Sequence, residues 1–170
     1  DLVVYHFENE TGIGEMLCFN LLDGIELTYN NLNMETSYQE IKPVKGILQI
    51  DHCLEGCYEF KLKNNERAFI GKGDLSILDL GKVPFEDSRL PMKKYIGLSL
   101  FIDVDTAQKS INRYFPFGNI DLLGIRDRLC KEEPALIIRS RQEINHIISE
   151  LYKVNERVRI PYSIIKIIEL

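Results

Sequence analysis

The sequence predicts a mainly β protein with α: an antiparallel sandwich or barrel over residues 1–103, then a helical segment over 104–170. Three observations carry that prediction. Apolar and polar residues alternate through the first hundred or so positions, in short runs parted by Gly, Asn and Pro. After about residue 103 the period lengthens to that of helices. The composition, 45% hydrophobic and 28% charged with no low-complexity tract, suits a chain that buries a sizeable core.

The strands come in order. "GIELTYNNL" sets Ile25, Leu27 and Tyr29 against Glu26, Thr28 and Asn30, the period of a half-buried strand. "GILQIDHCL" puts Leu48, Ile50, His52 and Leu54 on one face. "CYEFKLK" puts Tyr58, Phe60 and Leu62 on one face, with Glu59, Lys61 and Lys63 on the other. "RAFI", "DLSILDL" and "MKKYIGLSLFI" continue the series. Asn64-Asn65 suits a two-residue hairpin loop, because Asn tolerates positive φ. That register sets Lys63 opposite Glu66 and Phe60 opposite Phe69. "GKGD", from Gly71 to Asp74, supplies two glycines for a tight reversal. Leu54-Glu55-Gly56 reads as a three-residue turn that faces Cys53 with Cys57 and His52 with Tyr58.

The helices follow. "DVDTAQKSINRYF" has Asp caps at its start and stops before Pro116, and "IDLLGIRDRLCKEE" is ended by Pro134. In "SRQEINHIISELYKVNERV", Ser140 and Glu143 match a capping box. Ile144, Ile147, Leu151, Val154 and Val158 then recur at alternating three- and four-residue spacings, a seam that Ile148 widens. Pro161 suits the first turn of a last helix, "PYSIIKIIEL", apolar enough to expect burial on several sides. It reaches Leu170 without a glycine cap or polar tail, which predicts a domain of a longer protein.

Charge and chemistry narrow the functions. The formal charge is -5, and the densest basic stretches, "IRSRQ" and "NERVR", sit among acidic neighbours, so this chain is not expected to bind DNA unaided. No apolar run reaches the roughly 18 residues of a membrane span. Cys18, Cys53, Cys57 and Cys130 make no CxxC pair, which points to a reduced, cytoplasmic protein, although a Cys53–Cys57 cross-strand disulfide is conceivable. A catalytic metal needs three ligands, and "DHC" offers only His52, so no metal and no cofactor are expected. Cys53 directly follows His52 and points to the opposite sheet face, which argues against a Cys–His nucleophile.

The order "GIELTYNNLNM", "ILQIDHCLEGCYEFKL", "GKGDLSIL", "YIGLSLFID" and then helices ending in "YSIIKIIEL" resembles the amino-terminal regulatory domain of the AraC/XylS family of transcription regulators. The resemblance covers nearly the whole chain. It implies a cupin-like antiparallel β-barrel that holds a small effector, and a helical segment that forms a homodimer. It also implies DNA binding only through a carboxy-terminal domain absent from this chain.

Two sets of candidate residues follow. Tyr29, His52, Tyr58 and Lys94 place polar tips on apolar strand faces, as in a small-molecule pocket; the alternative is that they are satisfied core or strand-end residues. Ile144, Ile147, Ile148, Leu151, Val154 and Val158 form the candidate dimerisation seam; the alternative is packing of that stripe against the barrel. The arm "DLVVYHFENETG" is a candidate lid. The expected function is effector sensing and dimerisation in a non-enzymatic regulator. The rivals are a metal-dependent cupin enzyme and a ligand-free structural dimerisation module.

Overall fold

A computed structural model describes residues 2–37, 43–61, 66–83, 88–131, 133 and 135–170. Nine antiparallel strands are built from β1 (Leu2–Asn9), β2 (Gly12–Leu22), β3 (Ile25–Asn33), β4 (Ile47–Lys61), β5 (Arg67–Gly71), β6 (Asp74–Asp79), β7 (Ser88–Arg89), β8 (Tyr95–Asp103) and β9 (Ala135–Arg139). Among the described residues four α-helices accompany them: α1 (Val104–Tyr114), α2 (Leu122–Leu129), α3 (Gln142–Lys153) and α4 (Arg159–Glu169). The hydrogen-bonded path runs β1-β2-β3-β8-β4-β6-β9, with β5 and β7 on the far half of β4. The fold is mainly β and cupin-like, but the path does not close on itself: β1 and β9 end it.

The sheet buries residues on both sides. Leu27, Leu48, Leu98, Leu100 and Ile102 point outward into a core shared with Val104, Ile111, Ile148 and Leu151 of the helices. Phe60, Ile70, Leu78, Val83, Leu90 and Tyr95 fill part of the interior. Thr28, at 0% exposure, and Asn30, at 7%, lie inside as well, so the polar face of "GIELTYNNL" is buried past its exposed first residue, Glu26. Strands covered on both faces do not show their inner face as apolar when that face lines a polar hollow.

Several local expectations are corrected. Leu54-Glu55-Gly56 is no turn: β4 runs unbroken through it, with a bulge between Cys53 and Glu55. Gly56 takes φ +82°, and a Cβ there would stand 1.9 Å from the Lys94 carbonyl oxygen, so only glycine fits. Before the bulge β4 pairs with β8 and β6; beyond it β4 keeps β8 through Glu55 and Gly56 and then pairs with β5 and β7 from Cys57 on. Cys53 and Cys57 therefore belong to one strand, and both are buried free thiols. Phe60 stands opposite Ala68, while Glu59 stands opposite Phe69 and pairs with Arg67 at 2.8 Å. The Asn64-Asn65 loop and Lys63 lie outside the described residues. The reversal at "GKGD" is present, with Gly73 at φ +81°.

The helical segment also departs from expectation. Asp103 and Asp121 cap α1 and α2 by accepting from the amides of Thr106 and Gly124. The capping box does not form: Arg141 is the residue before α3, with no side-chain cap, and the Ser140 hydroxyl is buried without a partner. α3 stops at Lys153, because Val154 is extended at ψ 137°, and a 3-10 turn at Glu156–Val158 leads into α4. The seam is thus broken before Val154. Residues 135–139 return to the sheet as β9 beside β6, a strand within the segment read as helical. α4 is covered on one side only, and Ile165 is 63% exposed.

Candidate functional site: a polar-floored cavity inside the barrel

A cavity of about 400 Å³ opens on the inner face of β3, β4 and β8, with β1 at its mouth. That volume is within the range of small-molecule sites. Its floor is a line of hydrogen bonds across four strands. Asp51 of β4 stands opposite Ser99 of β8 on one side and Ser76 of β6 on the other. Gln49 Nε2 donates to Asp51 Oδ1 at 2.8 Å, and Ser76 Oγ donates to Oδ2 at 3.0 Å. Ser99 also hydrogen-bonds to Asp51, and Asn30 Nδ2 of β3 donates to Ser99 Oγ at 2.9 Å. Burial pushes the Asp51 carboxyl up, and the bonds from Gln49, Ser99 and Ser76 partly offset it.

Aromatic and thioether side chains make the walls. The rings of Tyr58 and Tyr95 lie 5.7 Å apart, and Phe101, Met16 and Met34 complete the apolar part. Burial raises the Tyr58 phenol to about 12, opposed by a hydrogen bond to Ser88 and reinforced by Asp51. Tyr95 is raised as well, first by burial and then by Asp51. Both phenols are neutral across the ordinary pH range. At the mouth stand His6, Phe7, Glu8 and Asn9 of β1, the arm read from the sequence as a lid. Asn9 Nδ2 donates to the Thr36 carbonyl at 2.9 Å, which ties the end of β1 down across the opening.

Of the four sequence-predicted ligand residues, Tyr58 alone lines this cavity. The bulge explains why. An extra residue between His52 and Tyr58 reverses their parity, so the two point to opposite sides of the sheet. His52 faces α3, where its Nε2 lies 3.0 Å from Asn145 Oδ1, and burial lowers its pKa. Tyr29 also faces the helices: its hydroxyl donates to the Leu151 carbonyl at 2.8 Å, and its ring meets Tyr152 and the Arg159 guanidinium. Lys94 is at the surface, paired with Glu55 at 2.8 Å. Beside His52 the described residues leave a void of only about 10 Å³, no larger than a single water-sized probe. The residues missed from sequence are Asp51, Gln49, Asn30, Ser99 and Tyr95. The small polar Ser76 and Ser99, in mid-strand among apolar residues, were the available signal.

Among the described residues, no group of three His, Cys, Asp or Glu side chains is placed to hold a metal. Among the same residues no helix is long and apolar enough to cross a membrane. Of the candidate dimer seam, Ile147, Ile148 and Leu151 are buried within the chain itself, Ile144 and Val154 are half-buried, and Val158 is 49% exposed.

The fold and cavity define a cupin-like domain with a ligand-sized hollow. Solved structures share that fold. An apo variant of ToxT from Vibrio cholerae strain SCE256 superposes with a TM-score of 0.54 at 14% identity, over 85% of this chain and 52% of that one. ToxT from Vibrio cholerae O395, bound to (E)-4-(8-methylnaphthalen-1-yl)but-3-enoic acid, gives 0.54 at 12% identity over 85% and 53%. ToxT is an AraC-family protein, and the part matched is its amino-terminal domain. The chain therefore spans about half the length of the ToxT structures it matches. No family model and no curated protein matches the sequence.

Proposed function

We propose that this chain is the small-molecule-sensing and dimerisation domain of an AraC-like transcription regulator. The observation that carries the reading is the cavity of about 400 Å³ with its polar floor, enclosed by the strands whose other face holds α3 and α4. A filled structural module would not leave Asp51, Asn30 and Ser99 around a hollow. The shared fold with ToxT, which takes a carboxylic acid in one of its structures, supports an effector role.

The mechanism is ligand-linked. A ligand in the cavity touches β1 at the mouth and Gln49 and Asp51 on β4, while Ile50 and His52 of the same strand press on the helices. A ligand that binds one arrangement of β1, sheet and helices better than another shifts the population between them. A tenfold preference corresponds to about 1.4 kcal/mol. DNA binding belongs to a further domain of the full-length protein, and the homodimer forms through the helical segment. With Ile147, Ile148 and Leu151 already buried, the contact draws on Val158 and Ile165.

The test is a thermal-shift screen of small metabolites on the wild type and on Ser99→Leu, which fills the floor. Compounds that raise the midpoint of the wild type and not of the folded variant are expected. A screen with no such compound overturns the sensing role. Sedimentation showing only monomer at tens of micromolar overturns the dimer.

A further inference from the structure

The chemistry of the cavity selects among ligands, and this step rests on the effector reading above. Gln49 Oε1 is buried and has no hydrogen-bond partner. The amide cannot simply turn over to satisfy it, because its Nε2 is committed to Asp51 Oδ1 at 2.8 Å. A buried acceptor left open is destabilising, and a donor from a ligand would recover that loss. Beside it, an ionised Asp51 offers about four acceptor positions. Gln49 and Ser76 donate to it and Ser99 stands beside it, so acceptor capacity remains. The floor thus holds one unpaired buried acceptor, Gln49 Oε1, beside the Asp51 carboxylate.

The walls agree. Tyr58, Tyr95 and Phe101 present ring surface to the hollow, and aromatic faces attract cations. At the mouth Glu8 adds a second carboxylate. Among the described residues that line the cavity there is no lysine or arginine. A carboxylate ligand would meet Asp51 with like charge; an ammonium ion would meet a counter-charge, an orphan carbonyl and aromatic walls. Burial already holds the Asp51 carboxyl above its usual range, and a cation beside it is the partner that restores the ionised form.

We propose that the cavity takes an organic ammonium ion: a protonated amine whose head sits on the Asp51–Gln49 floor and whose apolar or aromatic body lies between Tyr58, Tyr95, Phe101 and Met16.

The experiment is calorimetric titration and thermal shift at pH 7 with a matched panel of arylalkyl amines, alcohols and carboxylates, including phenethylamine, tyramine, 2-phenylethanol and 3-phenylpropanoate. Amines are expected to bind at least about tenfold tighter than the matched alcohols, a difference of about 1.4 kcal/mol. In Asp51→Asn, checked for native circular dichroism, amine affinity is expected to fall about tenfold while alcohol affinity holds; Gln49→Met serves as a second variant if the first does not fold. Carboxylates that bind better than amines overturn the ammonium assignment and leave the sensing role standing. Amine affinity unchanged in the folded variants also overturns it. A panel silent throughout overturns the ammonium assignment, while the metabolite screen on the wild type and Ser99→Leu decides the sensing role separately.

Discussion

The two faces of the wall formed by β3, β8 and β4 share the same strands and differ in almost everything else. Outward, Leu27, Leu98, Leu100 and Ile50 meet α3 and α4, leaving a void of about 10 Å³. Inward, Asn30, Ser99, Asp51 and Gln49 border a hollow of about 400 Å³. Successive residues of one strand therefore serve opposite ends: the apolar face supplies cohesion, and the polar face is left unfilled. A polar side chain opposite an apolar one in a strand need not face water. In an open barrel backed by helices it faces the inner hollow.

The largest expected effect tests the cohesive face. Leu151 is fully buried at the junction of α3 and the sheet. Leu151→Ala is expected to cost about 2–5 kcal/mol in urea unfolding, the usual range for a buried leucine. If the two faces are separable, the folded variant still responds to whatever ligand the wild type binds. A loss below about 1 kcal/mol would break the comparison, because it would mean the helices contribute little to holding the wall.

The next effect tests the device that separates the faces beyond residue 52. Gly56→Ala is expected to destabilise by more than about 2 kcal/mol: a left-handed backbone costs an L-residue about 1–2 kcal/mol, and the clash with the Lys94 carbonyl adds to it. Gly46 is the control. It has φ +85° with nothing within 4 Å of an added Cβ, so Gly46→Ala is expected to show the backbone cost alone. Equal losses at the two glycines, read by thermal unfolding, would remove the bulge from its assigned role.

That bulge also marks where the sequence stopped being legible. Alternation located β3, β4, β5, β6 and β8, Asp caps located α1, and the stop at Pro134 bounded the segment that holds α2. The ordered motifs suggested the fold family before any coordinates. Alternation cannot count through a bulge, however, so parity carried from His52 to Tyr58 put them on one face when they lie on two. Gly56 was visible but fits a turn equally well, and nothing local distinguishes the two. Tyr29 failed for a different reason: its face is apolar because helices cover it, and a helix docked from far along the chain leaves no mark on the strand. The Ile144–Val158 spacing was real to Leu151, yet its target was the chain's own sheet. Asp51 was not singled out, because it alternates with the apolar face of "GILQIDHCL" and nothing in the strand marks its face as buried.

The smallest expected effect is the sharpest form of the comparison, because Asp51 and His52 are neighbours on opposite faces with opposite pH responses. Burial raises the Asp51 carboxyl, so the native state keeps its proton where the unfolded chain, near 3.8, has lost it. Its contribution to stability is greatest in acid and falls as pH rises from that value through the native one. Burial lowers His52 below its ordinary 6.5, so its contribution is complete above 6.5 and is lost as pH falls toward the native value. Asn145 and Asp74 hold the shift back without reversing it. Asp51→Asn is thus expected to gain stability over the wild type as pH rises from about 4 to 8, and His52→Gln to remove part of the loss on acidification below about 6.5. Each change is expected to be on the order of 1 kcal/mol in urea unfolding. Difference curves of the same sign would show that one of the two side chains is not held buried in the native state. Opposite signs, with ligand response lost only at Asp51, would show that the inner face gives up stability for an acceptor that the outer face has no use for.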